Sequence, residues 1–130
     1  MKLKKSVLSM MVVSTIGLSS ITAYAASTKS FTYDFKHMLA VSGKQKATQT
    51  KAHFSCTTTS NGGSDTYFTI KQYKSKFFGD DEYLDSDTIK CGVDQTDTCS
   101  FETAKGTKYE YEFWKPTAMG YIVGSGTLEY

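Results

Sequence analysis

The sequence contains no arginine, one proline, one tryptophan and two histidines. Without arginine it lacks the planar guanidinium that grips a phosphate or carboxylate at two points. Two imidazoles and three cysteines with no C-x-x-C spacing make a zinc cage a poor reading. Aliphatic side chains are scarce as well. Beyond residue 25 there are only Leu39, Leu84, Leu128, Ile70, Ile89, Ile122, Val41, Val93 and Val123. A core must therefore come from rings. Eight Phe, eight Tyr and Trp114 lie beyond residue 25, and each ring buries roughly 150–250 Å².

The one extended apolar run is at the N-terminus. Lys2, Lys4 and Lys5 precede an uncharged stretch whose most apolar part is Val7–Leu18, and Ala23-Tyr24-Ala25 follows. A basic start, a short apolar stretch and a small-x-small site read as a secretory signal peptide. The run is too short for a spanning helix, which needs roughly 20 apolar residues. The expectation is a signal peptide over 1–25, cleaved after Ala25, and one secreted domain over 26–130. No transmembrane segment is expected in the mature chain.

Charge follows from that division. Three of the 15 basic residues precede residue 26, which leaves 12 lysines against 13 acidic residues. A near-neutral domain carries no basic footprint for nucleic acid. The length suits one domain, and a core this small profits from a covalent staple. Cys56, Cys91 and Cys99 allow one bridge outside the cell. Cys91 and Cys99 flank a loop-like stretch centred on Gln95, so a disulfide across that hairpin is expected, contributing roughly 2.5 kcal/mol. Bridges from Cys56 to either partner are the alternatives.

Beyond residue 25 the sequence is dominated by Thr, Tyr and Phe, which suit pleated surfaces. Phe31, Tyr33 and Phe35 alternate with polar neighbours; so do Ala52, Phe54 and Cys56, and again Tyr109, Tyr111 and Phe113. Such two-residue periods mark half-buried strands. Asn61-Gly62-Gly63-Ser64 is a turn signal and predicts a hairpin within residues 45–73. Residues 74–87 read as an irregular acidic segment. About seven strands result, which points to an all-β antiparallel β-sandwich of jelly-roll or immunoglobulin-like type.

Three features carry chemistry. Asp80, Asp81, Glu82, Asp85 and Asp87 crowd one short segment. Carboxylates so close suit calcium, which takes six to eight oxygens, although the spacing is not that of a calcium loop. The plainer reading is a solvated acidic loop. Trp114 has the parity of Glu110 and Glu112, opposite to that of Tyr109, Tyr111 and Phe113. If those three face the core, Trp114 stands outside beside two carboxylates, as a sugar-binding face requires; the plainer reading tucks it under the Pro116 loop. The adjacent Phe77 and Phe78 cannot both face one side of a strand.

No catalytic set stands out. His53 falls on the polar parity of its strand, and serines and aspartates are too plentiful for a triad to be inferred. Glu110 and Glu112, about 7 Å apart along a strand, match a glycosidase pair only in separation. The functional expectation is a secreted, non-enzymatic bacterial binding module whose partner is an extracellular carbohydrate or protein. A membrane-acting toxin is the alternative, suggested by the uncharged stretch from Pro116 to Leu128, and a small glycoside hydrolase is the third reading.

Overall fold

The computed structural model describes residues 26–41, 43–63, 65–116 and 120–130. The expected signal peptide lies outside these residues. Among them the chain forms nine strands and no helix: β1 (Thr28–Phe35), β2 (Met38–Ala40), β3 (Gln45–Lys46), β4 (Lys51–Ser60), β5 (Tyr67–Lys74), β6 (Glu82–Lys90), β7 (Gln95–Glu102), β8 (Lys108–Trp114) and β9 (Ile122–Glu129). The first sheet has the order β1-β9-β4-β7. The second runs β2-β8-β5-β6, with β3 also paired to β8. Every pairing is antiparallel, and the two sheets pack as a β-sandwich.

The alternation in the sequence decides which side of each strand is buried. On β1 Tyr33 and Phe35 point inward, on β4 Ala52, Phe54 and Cys56, and on β8 Tyr109, Tyr111 and Phe113. Phe113 sits at the centre. Its ring lies 5.0–6.0 Å from those of Phe31, Tyr33, Phe35, Phe54 and Phe68. Most of these contacts are tilted or edge-to-face, the arrangement the ring quadrupole favours. Several polar groups that reach this core are satisfied. The Tyr33 hydroxyl bonds Thr58 Oγ1 at 2.9 Å, and Gln72 Nε2 donates to the Tyr111 hydroxyl and the Glu102 carbonyl. Burial pushes the Tyr33 and Tyr111 hydroxyls up to about 12.

Three local expectations are corrected. Residues 45–73 are not one hairpin: β4 belongs to the first sheet and β5 to the second, so the Asn61–Gly63 turn carries the chain between layers. The same holds for residues 88–103. Asp94, at φ 61°, and a bond from Gln95 N to the Gly92 carbonyl tighten the turn. β6 then stays on the second sheet while β7 pairs with β4 on the first. Cys91 and Cys99 therefore do not face each other across a hairpin. The expected bridge is absent, and all three cysteines are buried free thiols. Third, residues 82–87, read as part of an irregular segment, belong to strand β6. The two extra strands, β2 and β3, span three and two residues, too few for periodicity to show.

β9 fills an inner position of the first sheet. It lies between β1 and β4, paired on both sides, and offers no free edge for another chain. Gly124 and Gly126 make that position workable. A Cβ on Gly124 would collide with the Thr57 carbonyl and the Tyr33 ring, and one on Gly126 with the Ser55 carbonyl and Phe31.

Candidate functional site

The two outer faces differ in chemistry. That of the first sheet carries hydroxyls: Ser30, Thr32, Ser55, Thr57, Ser125 and Thr127 border a shallow groove. His53 Nδ1 lies 2.7 Å from Ser100 Oγ, and Glu129 is the opposite neighbour of His53. Both His53 and Ser100 are exposed on an open sheet, where with Thr28, Thr98, Thr127 and Glu129 they border a depression of about 340 Å³.

The second sheet presents rings and charges. On β8 the outward residues are Glu110, Glu112 and Trp114, each half-buried. Their neighbours across the ladder on β5 are Tyr73, Lys71 and Thr69. On the other flank β2 sets Ala40 beside Glu112 and Met38 beside Trp114. Outward side chains on neighbouring antiparallel strands stand within about 5.5 Å of each other, so these residues form one continuous surface. Lys71 Nζ lies 4.5 Å above the Trp114 ring, a cation–π contact worth about 0.5–1 kcal/mol where exposed. His37 meets the same indole edge-on at 5.9 Å. Tyr73 pairs with Tyr83 of β6 at 5.7 Å, and its hydroxyl reaches Glu112 Oε1 at 3.5 Å.

The loop between β5 and β6 folds toward this surface. It closes a hollow of about 500 Å³ lined by Tyr73, Asp80, Asp81, Glu110 and Glu112, with Ala40 and Gly79 at its margin. Partial desolvation, the Asp81 carboxyl and the charge it carries push Glu110 up from its ordinary value. Asp81 is held below its ordinary value. Desolvation, the largest single influence, opposes this, but the Lys76 amide, the contact with the Glu110 carboxyl and Lys44 together outweigh it. Lys44 Nζ stands 3.4 Å from Asp81 Oδ1. The hollow thus holds one carboxyl whose hold on a proton is strengthened and one whose hold is weakened.

The structure regroups the residues named from the sequence. Asp80 and Asp81 join Glu110 and Glu112 at the hollow, whereas Glu82, Asp85 and Asp87 do not converge with them. β6 explains why, because successive strand residues point to opposite faces. Asp85 and Asp87 instead accept the backbone amides of Ser86 and Thr88. Among the described residues, no group of three or more His, Cys, Asp or Glu side chains is arranged to hold a metal ion. Trp114 stands on the outer face beside Glu112, as its parity requires. Phe77 and Phe78 are both exposed, at 92% and 81%, and stack edge-to-face at the tip of the loop.

Sequence reasoning missed Tyr73, Lys71 and the buried pair of Lys115 with Asp65. Tyr73 and Lys71 were legible as the alternate residues to Phe68 and Ile70. Lys115 continues the inward parity of Tyr109, Tyr111 and Phe113, a cation in register with a core. No protein-family model, curated protein or solved structure matches this chain.

Proposed function

We propose that the domain is an exported, non-catalytic glycan-binding module that holds a polysaccharide along the outer face of the second sheet. The supporting observation is the single surface on which Trp114, Tyr73, Lys71, Glu112 and Glu110 adjoin. A sugar offers a C–H face and a rim of hydroxyls. Flat rings suit the first; carboxylates that accept and a lysine that donates suit the second. Ligand sites combine apolar contact area with a few polar groups that fix orientation. A flat protein partner would need no acidic hollow beside the rings. Export rests on Lys2, Lys4 and Lys5, the apolar run and Ala23-Tyr24-Ala25, and is checked by a mature product that begins at Ala26.

The test is retention of residues 26–130 on immobilised cell-wall and storage polysaccharides, followed by titration with short oligosaccharides. Trp114 is the only tryptophan, so its emission reports the face directly. Trp114→Ala combined with Tyr73→Ala should weaken binding at least tenfold, roughly 1.4 kcal/mol, with an unchanged circular dichroism spectrum. Glu110→Gln with Glu112→Gln should reduce binding without altering any release of reducing sugar. Retention on no polysaccharide refutes the proposal. Release of reducing sugar that this double substitution abolishes would replace it with the hydrolase reading.

A further inference from the structure

A lysine enclosed in a sandwich this small is the least expected feature of the chain. Lys115 follows β8 and is 1% exposed. Its Nζ stands 2.9 Å from Asp65 Oδ2. Neither atom is open to water, and among the described residues neither has the alignment of a hydrogen bond to any group. An ammonium carries three donors, and here one carboxylate oxygen faces them. A buried ion pair this poorly satisfied gains little, because desolvation opposes the attraction.

Both backbones are pinned. Lys115 N donates to the His37 carbonyl at 2.9 Å, and the Lys115 carbonyl lies 2.8 Å from His37 Nδ1. The Asp65 carbonyl accepts from Asn61 Nδ2 at 3.1 Å, and the next carbonyl, that of Thr66, accepts from Cys91 N. Amine and carboxyl thus meet between two segments whose backbones are hydrogen-bonded to their surroundings. Reacting groups fixed at such distances behave as if at effective concentrations of 10⁵–10⁸ M in the best cases. Phe68, Trp114 and Pro116 line the hollow beside the pair.

We infer that Lys115 and Asp65 condense into an isopeptide bond that staples the end of β8 to the connection between β4 and β5. The reaction begins with a proton passed from Nζ to the carboxylate, which removes both charges. The Nζ lone pair then forms a bond to Asp65 Cγ. The C–O bond to the protonated oxygen breaks, and that oxygen leaves as water with a proton taken from the nitrogen. No oxidant or cofactor enters. The product amide has no charge to bury and one N–H in place of three. A staple at this point does what the sequence led one to expect of a disulfide, and it does so with all three thiols free.

The test is the intact mass of the folded, purified domain and a tryptic map of it. The inference expects a mass one water below that of the sequence, and a branched peptide joining residues 52–71 to residues 109–130. Lys115→Met and Asp65→Ala should each restore the full mass. The wild-type measurement decides the matter even if those variants fail to fold. Full mass after prolonged incubation, with the two peptides separate, overturns the inference. So does a water loss that maps elsewhere, such as a succinimide at an aspartate. Neither result bears on glycan binding, which the polysaccharide experiment reads independently.

Discussion

At the scale of single residues, the acidic hollow is organised by one proton. Glu110 and Asp81 face each other, and two carboxyls that close do not both ionise easily. Glu110 is shifted upward and Asp81 downward, so Glu110 holds a shared proton more firmly than Asp81. The sign follows: the carboxyl–carboxylate contact is intact in mildly acidic solution and is lost as pH rises through the Glu110 value. Carbon-detected NMR titration should find Glu110 above 4.5, and Asp81→Asn should bring it back down. A wild-type Glu110 that titrates at or below its ordinary value would remove the shared proton from the account. The four carboxylates of the hollow were each visible in the sequence. Their meeting was not, because Asp80 and Asp81 approach Glu110 only through the β5–β6 loop and the β5–β8 ladder.

Among elements, β9 and β6 show how a strand's position changes its meaning. An uncharged, glycine-bearing strand could pair edge to edge with another chain if it lay at the margin of a sheet. In the structure β9 is central, and its glycines leave room for the Tyr33 and Phe31 rings that cross it. Gly124→Ala would drive a methyl group into a backbone carbonyl and a buried ring. It should destabilise the domain by about 1–3 kcal/mol or more, read as a lowered urea midpoint at unchanged m-value. Full stability in that variant would mean that β9 is not packed against Tyr33. The opposite holds for β6, which runs along the edge of the second sheet with almost every residue exposed. Glu82, Asp85 and Asp87 there discourage pairing between copies, as charges on edges do. Their crowding, which in sequence suggested a cation, thus has a physical role in the strand itself.

For the whole molecule, a ring-built core between two sheets encloses all three cysteines. Burial pushes the Cys56 thiol up to about 12 and the Cys91 thiol up to about 11, and raises Cys99 as well. The reactive thiolate is therefore scarce at neutral pH, and access is closed. A chromogenic disulfide reagent should find no thiol in the native protein and three after unfolding in denaturant. One thiol after unfolding would reveal a bridge.

The sequence by itself determined the strand class, the inward side of each main strand and the aromatic nature of the core. Those depend on a two-residue period that is local to each segment. It also placed Trp114 with Glu110 and Glu112, since parity along one strand needs no other strand. Only the tertiary structure decided which strands are neighbours. A turn signal marks where the chain bends, but bending within a sheet and crossing to the other sheet use the same residues. That choice separated Cys91 from Cys99 and set β9 at the centre. It brought Asp80 and Asp81 to Glu110 and Glu112 at one hollow and closed Lys115 over Asp65. Each is a relation between segments distant in sequence, set by how the two sheets bury their rings together.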